Sequence, residues 1–102
     1  MEQTGIIREM RIMGTEAQLK IALKDVPESQ LPDGVKGGDT KLIWAADNAD
    51  EVENARRTFD DLRKKGFAAF KVNRLGNKGE QVFAFDSDAE KLILTPPLRG
   101  GI

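Results

Sequence analysis

The chain predicts an α+β domain: a single mixed or mostly antiparallel sheet of five or six short strands, with one main helix, residues 48–65, across one face. Three observations lead there. One long stretch carries apolar residues at steps of three and four between a capping residue and a glycine. Short alternating apolar runs stand on both sides of it, divided by Gly, Pro, Asn and Asp. Finally, 102 residues with 39% hydrophobic content supply one modest core and no second one, so residues 1–102 read as a single domain.

Residues 5–14 read as a strand, with Ile6, Arg8, Met10 and Ile12 on one face and Ile7, Glu9, Arg11 and Met13 on the other. Either face could be the buried one. Leu19, Ile21 and Leu23 alternate with Lys20, Ala22 and Lys24, which predicts a second strand and a hairpin with the first. Residues 25–39, DVPESQLPDGVKGGD, hold two prolines and three glycines without periodicity and form a connection long enough to be a candidate functional surface.

Residues 40–46, TKLIWAA, read as a buried strand around the only tryptophan. In the helix that follows, Asp47 occupies the N-cap position, and Asp50, Glu51 and Glu53 stand near the positive end of the dipole. Arg63, Lys64 and Lys65 complete the last turn, and Gly66 terminates it. Val52, Ala55, Phe59 and Leu62 form the core stripe. Glu53 with Arg57, Asp60 with Lys64 and Asp61 with Lys65 stand four apart on the solvated face.

Beyond Gly66, FAAFKV predicts a strand with Ala68, Phe70 and Val72 on one side. NRLGNKG, residues 73–79, is a turn, and residues 81–85 resume a strand with Phe83 and Phe85 on one side, completing a second hairpin. Asp86-Ser87-Asp88 reads as a turn, because such side chains bond their own backbone. Residues 91–95 form a last strand, and Pro96-Pro97 ends it, since neither proline can donate to a ladder. Residues 96–102 leave the sheet as a C-terminal tail.

Without cysteine or histidine, the chain has no Cys or His zinc site, disulfide, thiol nucleophile or Ser-His-Asp relay. The formal charge is -1, from sixteen Lys and Arg against seventeen Asp and Glu, so no overall positive field attracts nucleic acid. Lys71, Arg74 and Lys78, with Phe67 and Phe70 nearby, make a small basic group, yet strand phenylalanines belong to a core more often than to a base-stacking platform. Trp44 is read as core in the same way. Gly37-Gly38-Asp39-Thr40-Lys41 precedes a strand, not the helix a phosphate loop requires. Asp86 and Asp88 lack the glycine and closing glutamate of a calcium loop. Sequence adjacency of carboxylates such as Asp60-Asp61 does not supply the shifted pKa of a general acid. No apolar run approaches a membrane span, and the first residues lack a signal-peptide core, so a cytoplasmic location is expected. No enzyme activity, metal or cofactor is expected.

The tail adds a resemblance. Leu98-Arg99-Gly100-Gly101 is similar to the end of ubiquitin, and Pro96-Pro97 before a Gly-Gly resembles the sulfur-carrier subunit of molybdopterin synthase. The resemblance covers LTPPLRGG and implies a β-grasp-like sheet. It also implies an activating enzyme as partner, acting on the carboxylate of Gly101 once Ile102 is removed. Glycines suit that chemistry, because a tail without side chains can thread a narrow channel.

A single helix leaves one sheet face without cover, and Ile7, Met13, Ile43, Phe67, Phe83 and Phe85 supply apolar surface for it. The residues themselves therefore predict a small non-catalytic binding or assembly module. It would use the open face for a protein partner or a second copy of itself. A ubiquitin-like modifier or sulfur carrier is the alternative.

Overall fold

A computed structural model of the chain describes residues 6–73 and 79–97. Strands β1 (Ile7–Gly14), β2 (Gly38–Ala45), β3 (Ala68–Val72), β4 (Glu80–Val82) and β5 (Lys91–Thr95) form one mixed sheet in the order β2-β1-β5-β3-β4. Among the described residues only the β1/β5 pair is parallel. Helix α1 (Glu16–Ala22) follows β1, a 3-10 turn (Glu28–Gln30) precedes β2, and the main helix α2 (Ala49–Lys64) links β2 to β3.

The predicted second strand is α1. Leu19, Ile21 and Leu23 fit an alternating pattern, but Leu19 and Leu23 also stand one helical turn apart, and both are buried while Ile21 is 65% exposed. The capping residues decide between the two periods. The Thr15 hydroxyl accepts from the Gln18 amide at 3.1 Å, and the Gln18 side chain accepts from the Thr15 amide at 3.0 Å. Glu16 and Lys20 add an ion pair across one turn. The predicted hairpin therefore has another partner: β1 pairs along its whole length with β2, from Ile7↔Ala45 to Gly14↔Gly38.

Helix α2 begins one residue later than predicted. Its cap is Asn48, whose side-chain oxygen accepts from the Glu51 amide at 3.1 Å, and not Asp47. Gly66, with φ +95°, ends the helix as expected. Ala55, Thr58, Phe59 and Leu62 are buried, and Val52 is half-buried against the core. On the outer face Arg56, absent from the predicted pairs, bonds both Glu53 and Asp60, while Lys65 meets Asp61 at 3.3 Å. Arg57 reaches Glu53 only at 3.9 Å.

Met10 and Ile12, Leu42 and Trp44, Leu92 and Leu94, and Ala69 line one face of the sheet, against Leu19 of α1, Leu23 at its C-cap, and Ala55, Phe59 and Leu62 of α2. On β3, then, Ala69 faces the core, and the predicted face of Ala68, Phe70 and Val72 is the opposite one. The predicted pairing of Phe83 with Phe85 on one strand face also gives way, because β4 stops at Val82. Phe85 turns inward, its ring 5.3 Å from Trp44 and 5.7 Å from Phe59. Phe83 is 69% exposed beneath the Arg63 guanidinium.

The 25–37 connection is tied down by a polar side chain. Gln30 is buried; its amide donates to the carbonyls of Ile43 and Glu51, both at 3.1 Å, and its oxygen accepts from Asn54 at 3.1 Å. Edge strand β2, the connection and α2 are thereby joined through one residue.

Candidate functional site

Alternation along each strand puts Ile7, Glu9, Arg11 and Met13 of β1 on the face away from the helices. Asp39, Lys41 and Ile43 of β2, Lys91 and Ile93 of β5, and Ala68 and Phe70 of β3 share it. One row runs Lys41, Arg11, Ile93, Phe70, Gln81, charged on β2 and β1 and apolar on β5 and β3, while Ile7, Met13 and Ile43 add apolar side chains to the β2/β1 half and Lys91 a charge to the β5/β3 half. Val72 extends the apolar half and is buried there, with Gly79 so close that an added Cβ would stand 2.7 Å from its Cγ1.

The charged half is a chain of ion pairs. Arg11 donates to Glu9 and to Asp39, each at 2.9 Å, and Lys91 approaches Glu9 at 3.7 Å. The hydrogen bond to Glu9, followed by the one to Asp39, holds the Arg11 guanidinium above its ordinary pKa. Lys41 stands directly opposite Arg11, a like-charge pair beside the two carboxylates that Arg11 bonds. Together the two halves make an amphipathic surface.

Of the residues assigned to this face from sequence, Ile7, Met13 and Ile43 lie on it. Phe67 and Phe85 belong to the core, and Phe83 stands on the bend after β4. Phe70 and Ile93 take their place. The face of a five-residue strand cannot be read from FAAFKV or KLILT alone, because both of their alternating sets contain apolar side chains.

The basic group separates too. Lys71 is on the core side and bonds Asp86 at 3.2 Å, while Arg74 and Lys78 lie outside the described residues. Asp86 anchors its predicted turn by accepting from the Asp88 amide at 2.9 Å. This bond, followed by the Lys71 contact, holds its carboxyl below the usual range. Hydrogen bonding to Arg56 lowers Glu53 in the same way. All of these shifts favour the charged form; none poises a group to exchange protons near neutrality.

Among the described residues there is no cluster of metal-ligating side chains, and no helix is long and apolar enough to cross a membrane. The candidate tail, Leu98, Arg99, Gly100 and Gly101, lies outside the described residues. Gln30 was not singled out from sequence, where it is one polar residue in a polar connection; no local pattern distinguishes a buried glutamine from a solvated one. No family model matches the chain, and neither a curated protein nor a solved structure matches it.

Proposed function

We propose that the chain is a non-catalytic protein-binding module that engages its partner through the open sheet face. The observation that carries this reading is the juxtaposition of half-exposed Phe70 and Ile93 with the Arg11, Glu9 and Asp39 ion-pair chain, on the side opposite both helices. A second copy is the simplest partner. In sedimentation at micromolar concentrations the average mass is expected to rise toward that of a dimer, and Ile93→Glu is expected to return it to the monomer while the circular dichroism spectrum is retained. Association unchanged by Ile93→Glu would remove the face from the interaction. A monomer at every concentration would leave it to a partner of different sequence.

A second reading is favoured by the topology: a ubiquitin-like modifier or sulfur carrier. The last strand lies parallel to the first at the sheet centre, with the long helix across one face, as the β-grasp resemblance implies. In this reading hydrolysis of the Gly101–Ile102 peptide bond frees the Gly101 carboxylate. One of its oxygens then attacks the α-phosphorus of ATP in an activating enzyme, an acyl-phosphate anhydride forms, and pyrophosphate leaves. The protein from its own host is expected to be lighter by one isoleucine residue. Deleting Gly100 and Gly101 is expected to abolish conjugates or thiocarboxylate with little change in thermal midpoint. An endogenous chain that retains Ile102 and carries no adduct would exclude the carrier role.

A further inference from the structure

We propose that the outer edge of β2 pairs antiparallel with the same edge of a second copy, in the register that sets Asp39 opposite Lys41. The inference concerns the edge of the sheet and stands apart from the open-face reading. Backbone accounting locates it. The Ala46 amide donates to the Ile6 carbonyl at 2.9 Å, which aligns the even-numbered residues of β2 with β1 and turns the amides and carbonyls of Asp39, Lys41, Ile43 and Ala45 outward. Toward the end of the strand those groups are used within the chain. Glu51 accepts from the Ala45 amide at 2.7 Å, the Asn48 amide donates to the Ala45 carbonyl at 3.0 Å, and Gln30 donates to the Ile43 carbonyl at 3.1 Å. Among the described residues nothing bonds the outward amides of Asp39, Lys41 and Ile43 or the carbonyls of Asp39 and Lys41. Such a row of groups recognises another extended strand. Asp39 and Lys41 border an open depression of about 420 Å³ with Asp33 and Lys36 of the connection, so space remains beside them.

Charge and capping select the occupant and its register. A two-fold pairing centred on Asp39 or on Lys41 sets like charges opposite one another, and one that includes Ala45 meets a residue already bonded at both groups. Centring on Thr40 places Asp39 opposite Lys41 of the second copy twice over, and four backbone bonds then use both groups of each residue. The side chains of Asp39 and Lys41 share the open face, so each such pair is also a cross-strand ion pair. Lys41 gains most from it: it stands opposite Arg11, and no carboxylate among the described residues bonds it, whereas the Asp39 side chain is 42% exposed. A lone lysine discourages pairing at a sheet edge, but a lysine two residues from an aspartate is self-complementary in this register.

Ile93→Glu, two strands in from the edge, serves as the background for the test, because it takes the open face out of the association. An edge contact of this size is weak, so sedimentation and amide resonances are followed up to about 1 mM. Dimerisation is expected, with the amides of Asp39 and Lys41 shifting as concentration rises and that of Ala45, already bonded, staying fixed. Adding Asp39→Lys alone, or Lys41→Asp alone, sets like charges opposite each other and is expected to weaken the dimer about tenfold. An equimolar mixture of these two variants is expected to restore it, since each chain then supplies one sign. Circular dichroism verifies folding; should a variant unfold, the concentration-dependent shifts of the background protein decide alone. A background protein that stays monomeric, or single variants that dimerise as well as it does, would overturn edge pairing and leave the open-face reading intact. A mixture of folded variants no tighter than either alone would overturn the register.

Discussion

Phe59→Ala is expected to lower stability by about 3–5 kcal/mol, measured by thermal or urea denaturation, because it empties a fully buried aromatic site. The position is sensitive for a reason beyond area. Phe85 packs edge-on against Phe59 and also touches Trp44, so removing one ring loosens the residue that joins helix to sheet. Phe85 comes from an irregular segment without ladder hydrogen bonds to hold it, so the cavity is expected to relax by moving the 83–89 bend. Arg57→Ala, two positions earlier on the outer face, is expected to cost less than about 0.5 kcal/mol, since its ion pair is long and its side chain 64% exposed. Equal losses in the two variants would overturn the face assignment of α2.

Gln30→Ala is expected to cost about 2–4 kcal/mol despite removing no apolar contact of comparable size. The substitution strands the carbonyl of Ile43 and the amide of Asn54 and takes a second donor from the Glu51 carbonyl, in a site where Gln30 itself is only 1% exposed. Burying a polar group without a partner costs roughly 1–3 kcal/mol each, and water entering the vacated space recovers part of it. Gln30→Glu distinguishes hydrogen bonding from shape: it keeps the length but replaces the donating amide with an acceptor facing two carbonyls, so it should be no better than alanine. Denaturation of the three proteins side by side provides the measurement. A Gln30→Glu protein as stable as wild type would show that the bonds to Ile43 and Glu51 contribute nothing.

What could be read from the sequence divides along the range of the interactions involved. The α+β class, the extent of α2 and its Gly66 stop, the Asp86 turn and the second hairpin rest on local chemistry, and these agree with the structure. Residues 16–24, read as a strand, hold a helix because a short apolar run fits periods of two and of four; the Thr15-x-x-Gln18 box is the discriminating signal, and it is a sequence signal. Asp47 and Asn48 are adjacent capping residues, and only the bond to Glu51 separates them. The composition of the open face was less accessible. Whether Phe70 or Ala69 points inward depends on pairing with β5, a neighbour contributed by a distant part of the chain. Gln30 is the extreme case, since its partners lie on β2 and α2 and nothing in its own neighbourhood encodes them.

The place of β5 has a consequence for how the molecule is made. The last strand lies between β1 and β3, so the β1/β2 ribbon and the β3/β4 ribbon have no sheet contact with each other until residues 91–95 insert between them. Leu92 and Leu94 are also the buried core of that seam. A nascent chain lacking these residues holds two halves of a sheet and an α2 whose apolar stripe faces an incomplete floor. The closing contacts, such as Glu9 with Lys91, join residues far apart in sequence, which makes their formation costly in loop entropy. The two ribbons are therefore expected to become one sheet only once residues 91–95 have been made and can insert between them.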